Sequence, residues 1–277
     1  MVLRPLLLVA MSVGVISLQK PVELNSLMRD ATFKIVGPAD LSNRTLVSTG
    51  TGFLVGHPVP NDPQRTYFVL VTAAHVLNGI QGDAAMLVLR VRGKDGKYAR
   101  QEHQVKIRQG ATTLWTQHPT EDVAVMYTNL PNDVSAQPVP EEFLAIDADF
   151  DKYEFHPGDE VFTVGYPYGL EANTLGFPIL RSGRIASYPL SPAAELKTFK
   201  VDFSVFGGNS GGAIFINQLG RQYGTSYHID ERVFRILGLV SNQVTMVATG
   251  ERLNVAGIVY AQFIRETIAL LPAHPKP

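Results

Sequence analysis

The sequence has no cysteine among its 277 residues. That excludes thiol nucleophiles, thiolate metal sites and disulfide cross-links in one step. It leaves the compartment open, because an exported protein need not contain cysteine. A charge excess is missing too: 24 basic and 25 acidic residues give a formal net charge of −1. Without a basic surplus there is no electrostatic footprint for nucleic acid, and without a block of like charge there is no sign of a disordered tail. The apolar run that opens the chain, Pro5 to Leu18, covers 14 residues. It is short for a membrane-spanning helix and within range for the core of a signal peptide. Arg4 is the only charge before it, and Val15-Ile16-Ser17 offers a small residue for cleavage. Residues 1–18 are therefore expected to be an export signal of a periplasmic or secreted protein, with an uncleaved anchor as the alternative. Membrane attachment is expected only through residues 5–18.

What remains is turn-rich and free of low-complexity segments, with 24 glycines and 18 prolines. The length suits one large β-domain or two small lobes. Residues 30–130 alternate apolar, β-branched runs with turn signals such as Gly56-His57-Pro58 and Gly93-Lys94-Asp95-Gly96. Short strands at that spacing indicate a sandwich or barrel. Residues 131–157 combine Pro131, Pro138 and Pro140 with Glu141, Glu142, Asp147, Asp149 and Asp151, which reads as a solvated crossover loop with a short turn of helix. A second run of strands fills 158–260. From Tyr260 to Leu271, apolar residues at 260, 264, 268 and 271 share one helical face, so the lobe of 158–271 is expected to end in an amphipathic helix.

Chemistry concentrates in Phe206-Gly207-Gly208-Asn209-Ser210-Gly211-Gly212-Ala213. Glycine is costly to order and brings no side chain to a core, so four of them in positions 207–212 suit a tight turn whose N–H groups converge. Ser210 at its centre is a candidate nucleophile, provided that a base and an orienting acid exist elsewhere. The candidate base is His75, which follows the strand-like Tyr67 to Thr72. The candidate acid is Asp122, within His118-Pro119-Thr120-Glu121-Asp122-Val123-Ala124-Val125; its neighbour Glu121 is the rival.

Thr72-Ala73-Ala74-His75, His118-Pro119-Thr120-Glu121-Asp122-Val123-Ala124-Val125 and Gly208-Asn209-Ser210-Gly211-Gly212, in that order, resemble the trypsin-like serine peptidases of chymotrypsin fold. The likeness is greatest to the bacterial branch that includes the HtrA/DegP protease domain, and it spans roughly residues 30–265. Animal trypsins share the motifs but depend on disulfides, so the lack of cysteine favours that branch. The resemblance implies an all-β fold: two six-stranded antiparallel β-barrels and a C-terminal helix. It implies a serine endopeptidase acting on polypeptides, with His75, Asp122 and Ser210 as catalytic triad. The main-chain N–H groups of Gly208 and Ser210 would form the oxyanion hole, and no metal or cofactor is called for. Only six residues follow Leu271, leaving no room in this sequence for the PDZ module that HtrA proteins carry.

By position relative to Ser210, the resemblance also puts Ser204 at the base of the primary pocket and makes Ser241-Asn242-Gln243 the strand that pairs with substrate; Ser204, Ser241 and Gln243 are the candidate substrate-binding residues. A neutral pocket base implies small or medium apolar P1 residues rather than Lys or Arg. Asn209 stands where animal trypsins have an aspartate that binds a freed N-terminus. Lys34-Ile35-Val36-Gly37 is accordingly expected to be strand and not an activation cut. Glu121 stays open as rival acid, and His118 is expected at a turn or on the surface. The rival functions are a silent fold of this kind that binds peptide by strand addition, and an esterase. The α/β-hydrolase type of esterase would need a strand-turn-helix nucleophile elbow that the sequence lacks.

Overall fold

The structure, a computed structural model, describes residues 23–43, 47–60, 62–246 and 248–273. The expected export segment 1–18 lies outside the described residues. A short helix, α1 (Leu24–Ala31), leads into the first lobe. Its long strands are β1 (Thr32–Pro38), β2 (Val47–Val59), β3 (Asp62–Thr72), β4 (Ala84–Arg92), β5 (Tyr98–Lys106) and β6 (Ala124–Tyr127). They lie in the order β5-β4-β1-β2-β3-β6. Two strands of two residues, Thr116–Gln117 beside β6 and Val139–Pro140 beside β2, enlarge this sheet to eight. Only the six long strands were expected, because a two-residue pairing carries too little alternation to be read. The second lobe has β7 (Glu160–Gly165), β8 (Ile179–Ile185), β9 (Thr198–Asp202), β10 (Ala213–Tyr223), β11 (Ser226–Thr245) and β12 (Arg252–Tyr260). These close into a six-stranded barrel, β7-β8-β9-β12-β11-β10.

Burial explains both sheets. Phe53, Leu54 and Val55 of β2 and Val69 and Val71 of β3 are fully buried, as are Phe215 of β10 and Ile236 and Leu237 of β11. Lys34 lies within β1, as expected of a strand. Strand β10 runs on past Ile216 to Tyr223 and β11 begins at Ser226, so the two form an arm that the sequence reading missed. The arm leaves the barrel, and Leu219, Tyr227 and Ile229 on it are exposed. With no buried face along much of it, the arm shows no hydrophobic alternation to read.

The acidic stretch before the second lobe is a correction to expectation. It does hold a 3-10 turn (Glu141–Phe143) and a short helix, Asp147–Lys152, but several of its carboxylates are engaged. Glu141 meets His57 Nδ1 at 2.6 Å, Asp149 meets Arg235 Nε at 2.8 Å, and Asp147 accepts the Ala193 N–H at 2.9 Å. The segment is stitched to both lobes rather than solvated.

Arg90 of β4 is buried outright in the seam between the lobes. Its guanidinium donates to the carbonyls of Arg29, Asp30 and Thr32 on one side, and to Tyr166 Oη and the Gly176 carbonyl on the other. The rings of Phe33 and Phe177 lie 4.9 and 5.3 Å from it. A delocalised cation can be satisfied this way by carbonyl dipoles and aromatic faces. The chain closes with a helix at Ala261–Ala269, whose Phe263, Ile264 and Ile268 are buried. Phe263 packs edge-on against His118 of the first lobe, 5.1 Å between ring centres.

Candidate active site

Strand β3 ends at Thr72, and a short helix, Ala74–Asn78, follows with His75 near its start. Asp122 sits in the bend just ahead of β6. Its two carboxylate oxygens face His75 from one side: Oδ2 lies 2.7 Å from His75 Nδ1, and Oδ1 accepts the His75 main-chain N–H at 3.0 Å. An ionised carboxylate only accepts, so the imidazole proton belongs on Nδ1 and the lone pair on Nε2. Ser241 Oγ donates a third hydrogen bond to Asp122, 2.6 Å from Oδ2. Burial pushes the Asp122 pKa up, but the hydrogen bonds from His75 and Ser241 outweigh it and hold the carboxyl below its ordinary value. The imidazole itself is about half exposed.

Ser210 lies at the rim of the second barrel, in the turn entering β10. The turn is drawn by main-chain bonds: Asn209 N–H to Phe206 O (3.0 Å), Gly212 N–H to Asn209 O (2.9 Å), Gly211 N–H to Val240 O (2.7 Å), and Tyr168 N–H to Gly207 O (2.5 Å). Each trans peptide points its C=O and N–H opposite ways. Carbonyls 207 and 209 are turned toward donors, so the N–H groups of Gly208 and Ser210 face away from those bonds, and neither has an acceptor among the described residues. Gly208 has φ +93°, and a Cβ there would stand 2.2 Å from the Tyr166 carbonyl. Only glycine fits. The Ser210 hydroxyl donates to the Ser241 carbonyl at 3.3 Å. Ser241 thus touches both the acid and the nucleophile.

Residues 36–224 match the family described as trypsin-like peptidase domain. The chain belongs to the trypsin-like peptidase family. That membership makes it a hydrolase of the serine-peptidase type whose substrates are polypeptides. No curated protein matches the sequence. Among the described residues no group of three or more His, Asp or Glu side chains converges as a metal site would require, and none of the helices is long and apolar enough to cross a membrane.

The other residues singled out in this peptidase fall as follows. Glu121 points to Lys197 at 3.6 Å, away from His75. His118 is buried and not on the surface: its Nδ1 accepts the N–H of Glu121 at 3.0 Å and its Nε2 lies 3.2 Å from Glu266. It braces the bend that presents Asp122 against the closing helix. Ser204 Oγ donates to Asn254 Oδ1 at 3.0 Å, while its carbonyl takes a hydrogen bond from Arg181. Arg181 lies 5.4 Å from the rings of Phe203 and Phe206 and has no carboxylate partner among the described residues. Gln243 pairs with Ala256 in the β11–β12 ladder, and its side-chain Nε2 is buried without a partner among the described residues. Asn209 is buried, with Oδ1 likewise unpaired. Tyr168, absent from the sequence reading, has φ +52°, is largely exposed and stacks on Phe206 at 4.9 Å. A left-handed tyrosine carries no signal in sequence.

Proposed function

We propose that the chain is a serine endopeptidase of the HtrA/DegP-like branch, exported from the cytoplasm, that cuts polypeptides through an acyl-enzyme on Ser210. The observation that carries this reading is the pair of unpaired N–H groups, Gly208 and Ser210, beside a hydroxyl that meets Ser241, the residue whose side chain also binds the Asp122 of the His75 pair. In this scheme Ser210 Oγ turns from the Ser241 carbonyl to His75 Nε2. The imidazole takes the hydroxyl proton as the Oγ–carbon bond forms, and the oxyanion is met by the two N–H groups. Collapse expels the amine, which leaves with the proton from His75; water then repeats the sequence to release the acid. Asp122 holds the tautomer and stabilises the imidazolium without taking the proton.

A silent peptide-binding module is less well supported, since a collapsed turn would spend the Gly208 N–H on an internal acceptor. Ser204 is neutral and Arg181 places a cation beside it, which favours small or medium apolar P1 residues and disfavours Lys or Arg. Export rests on residues 1–18 alone. The test of the activity is a fluorophosphonate probe on protein lacking those residues, with Ser210→Ala as control. An adduct on Ser210 that disappears in the control, with turnover of a peptide, is expected. An absence of adduct across peptides and pH would remove the peptidase reading, and turnover of an ester but not the peptide of the same acyl group would make it an esterase.

A further inference from the structure

We propose that Thr51 is a positioning residue that sets the shape of the oxyanion turn from across the lobe seam. Thr51 belongs to β2 in the first lobe and is completely buried. Its hydroxyl donates to the Gly208 carbonyl at 2.7 Å and accepts the Tyr166 N–H at 3.2 Å. Its main-chain N–H donates to the Ser210 carbonyl at 2.9 Å. Its own carbonyl takes the hydroxyl of Thr72, three residues before His75, at 2.7 Å. One residue therefore holds the carbonyls of both residues whose N–H groups would bind the oxyanion.

The reach of this contact is seen peptide by peptide. The 208–209 plane is fixed between Thr51 Oγ1 and the Phe206 carbonyl, and the 210–211 plane between the Thr51 N–H and the Val240 carbonyl. The 207–208 plane depends on Tyr168 N–H, which sits in the turn that begins at Tyr166, and Tyr166 is itself bound to the Thr51 hydroxyl. Three of the turn's peptide planes are thus reached from one residue, two through the Thr51 hydroxyl (one of them by way of Tyr166) and the third through its main-chain N–H. The hydroxyl's single proton is committed, since the Gly208 carbonyl can only accept it while the Tyr166 N–H occupies a lone pair. Space is as tight as the bonding: a Cβ on Gly211 would stand 2.1 Å from the Thr51 carbonyl. Asn209 is uncharged, so the turn has no carboxylate for an activating amine; the Thr51 contact supplies a fixed alternative present in the folded chain.

This inference rests on the peptidase reading, and its test separates the two. Thr51→Val keeps the shape and removes the hydroxyl, whereas Thr51→Ser keeps it. Amide exchange of Tyr166, Tyr168 and Asn209, kcat and KM on a peptide, and affinity for a peptide boronate are measured for each. In Thr51→Val, exchange should rise, and kcat and boronate affinity should fall together by about 10- to 100-fold, with KM within about twofold, less than the loss of a whole oxyanion donor. Thr51→Ser should restore both. A folded Thr51→Val with unchanged exchange and kcat overturns the proposal, as does a rise in KM alone or an equal loss in Thr51→Ser. If Thr51→Val does not fold, Thr51→Ala is read in the same way. If even the unaltered protein turns over nothing, the peptidase reading fails, and the exchange comparison alone decides whether Thr51 holds the turn.

Discussion

His75 and Asp122 are held by side chains, whereas Ser210 is held by backbone. On the first-lobe side, one carboxylate gathers the His75 ring, the His75 N–H and the Ser241 hydroxyl. On the second-lobe side, the turn from Phe206 to Gly212 is defined by main-chain bonds and by the positive φ of Gly208 and Gly211. The first half is thus open to titration and to single-atom changes in polarity. The second is indifferent to charge and intolerant of bulk.

The largest way to break the first half is Asp122→Asn. Its amide can leave the wrong imidazole tautomer, and kcat should drop about 10⁴-fold with the fold preserved, checked by steady-state kinetics beside circular dichroism. A comparable attack on the second half is Gly208→Ala. The added Cβ meets the Tyr166 carbonyl, so kcat should fall about 10²- to 10³-fold and stability by about 2 kcal/mol, measured by kinetics and denaturant unfolding. Ser241→Ala removes only the hydroxyl on Asp122 and keeps the carbonyl that Ser210 meets, so it should lower kcat by about tenfold and stability by about 1.5 kcal/mol. The smallest effect sharpens the contrast. The folded Asp122 pKa is depressed, so its hydrogen bonds stabilise the protein above the unfolded value of about 3.9 and that gain is lost as pH falls through the folded one. The Tm advantage over Ser241→Ala should therefore be present at neutral pH and shrink below about pH 4, while Gly208→Ala should show no such pH dependence.

The sequence made the scaffold legible because each long strand carries its own apolar alternation and each turn its own glycine or proline. It also made His75, Asp122 and Ser210 conspicuous, because their surroundings are local: a strand end, a bend, a glycine turn. What it hid was relational. Thr51 lay in a stretch recognised as strand, yet its hydroxyl gains meaning only from Gly208 and Tyr166, more than a hundred positions away. Ser241 was expected to offer its backbone, and its side chain proved to serve Asp122. His118 looked like a turn residue because the helix that covers it comes from the far end of the chain. The arm of β10 and β11 was invisible for the opposite reason, having no core to pattern it.

Arg90 carries a consequence for how the chain can be cut. Its guanidinium reaches main-chain and side-chain acceptors in both lobes without passing through the 131–157 connection, while its carbonyl accepts the N–H of Ser135 within that connection. The halves therefore share a bonded contact in addition to their covalent link. Two separately produced fragments, divided within that connection, would meet at an interface built around a cation that the first fragment alone leaves without its Tyr166 and Gly176 partners. The architecture lends itself to a complementation reporter, in which hydrolysis signals that two tagged proteins have met.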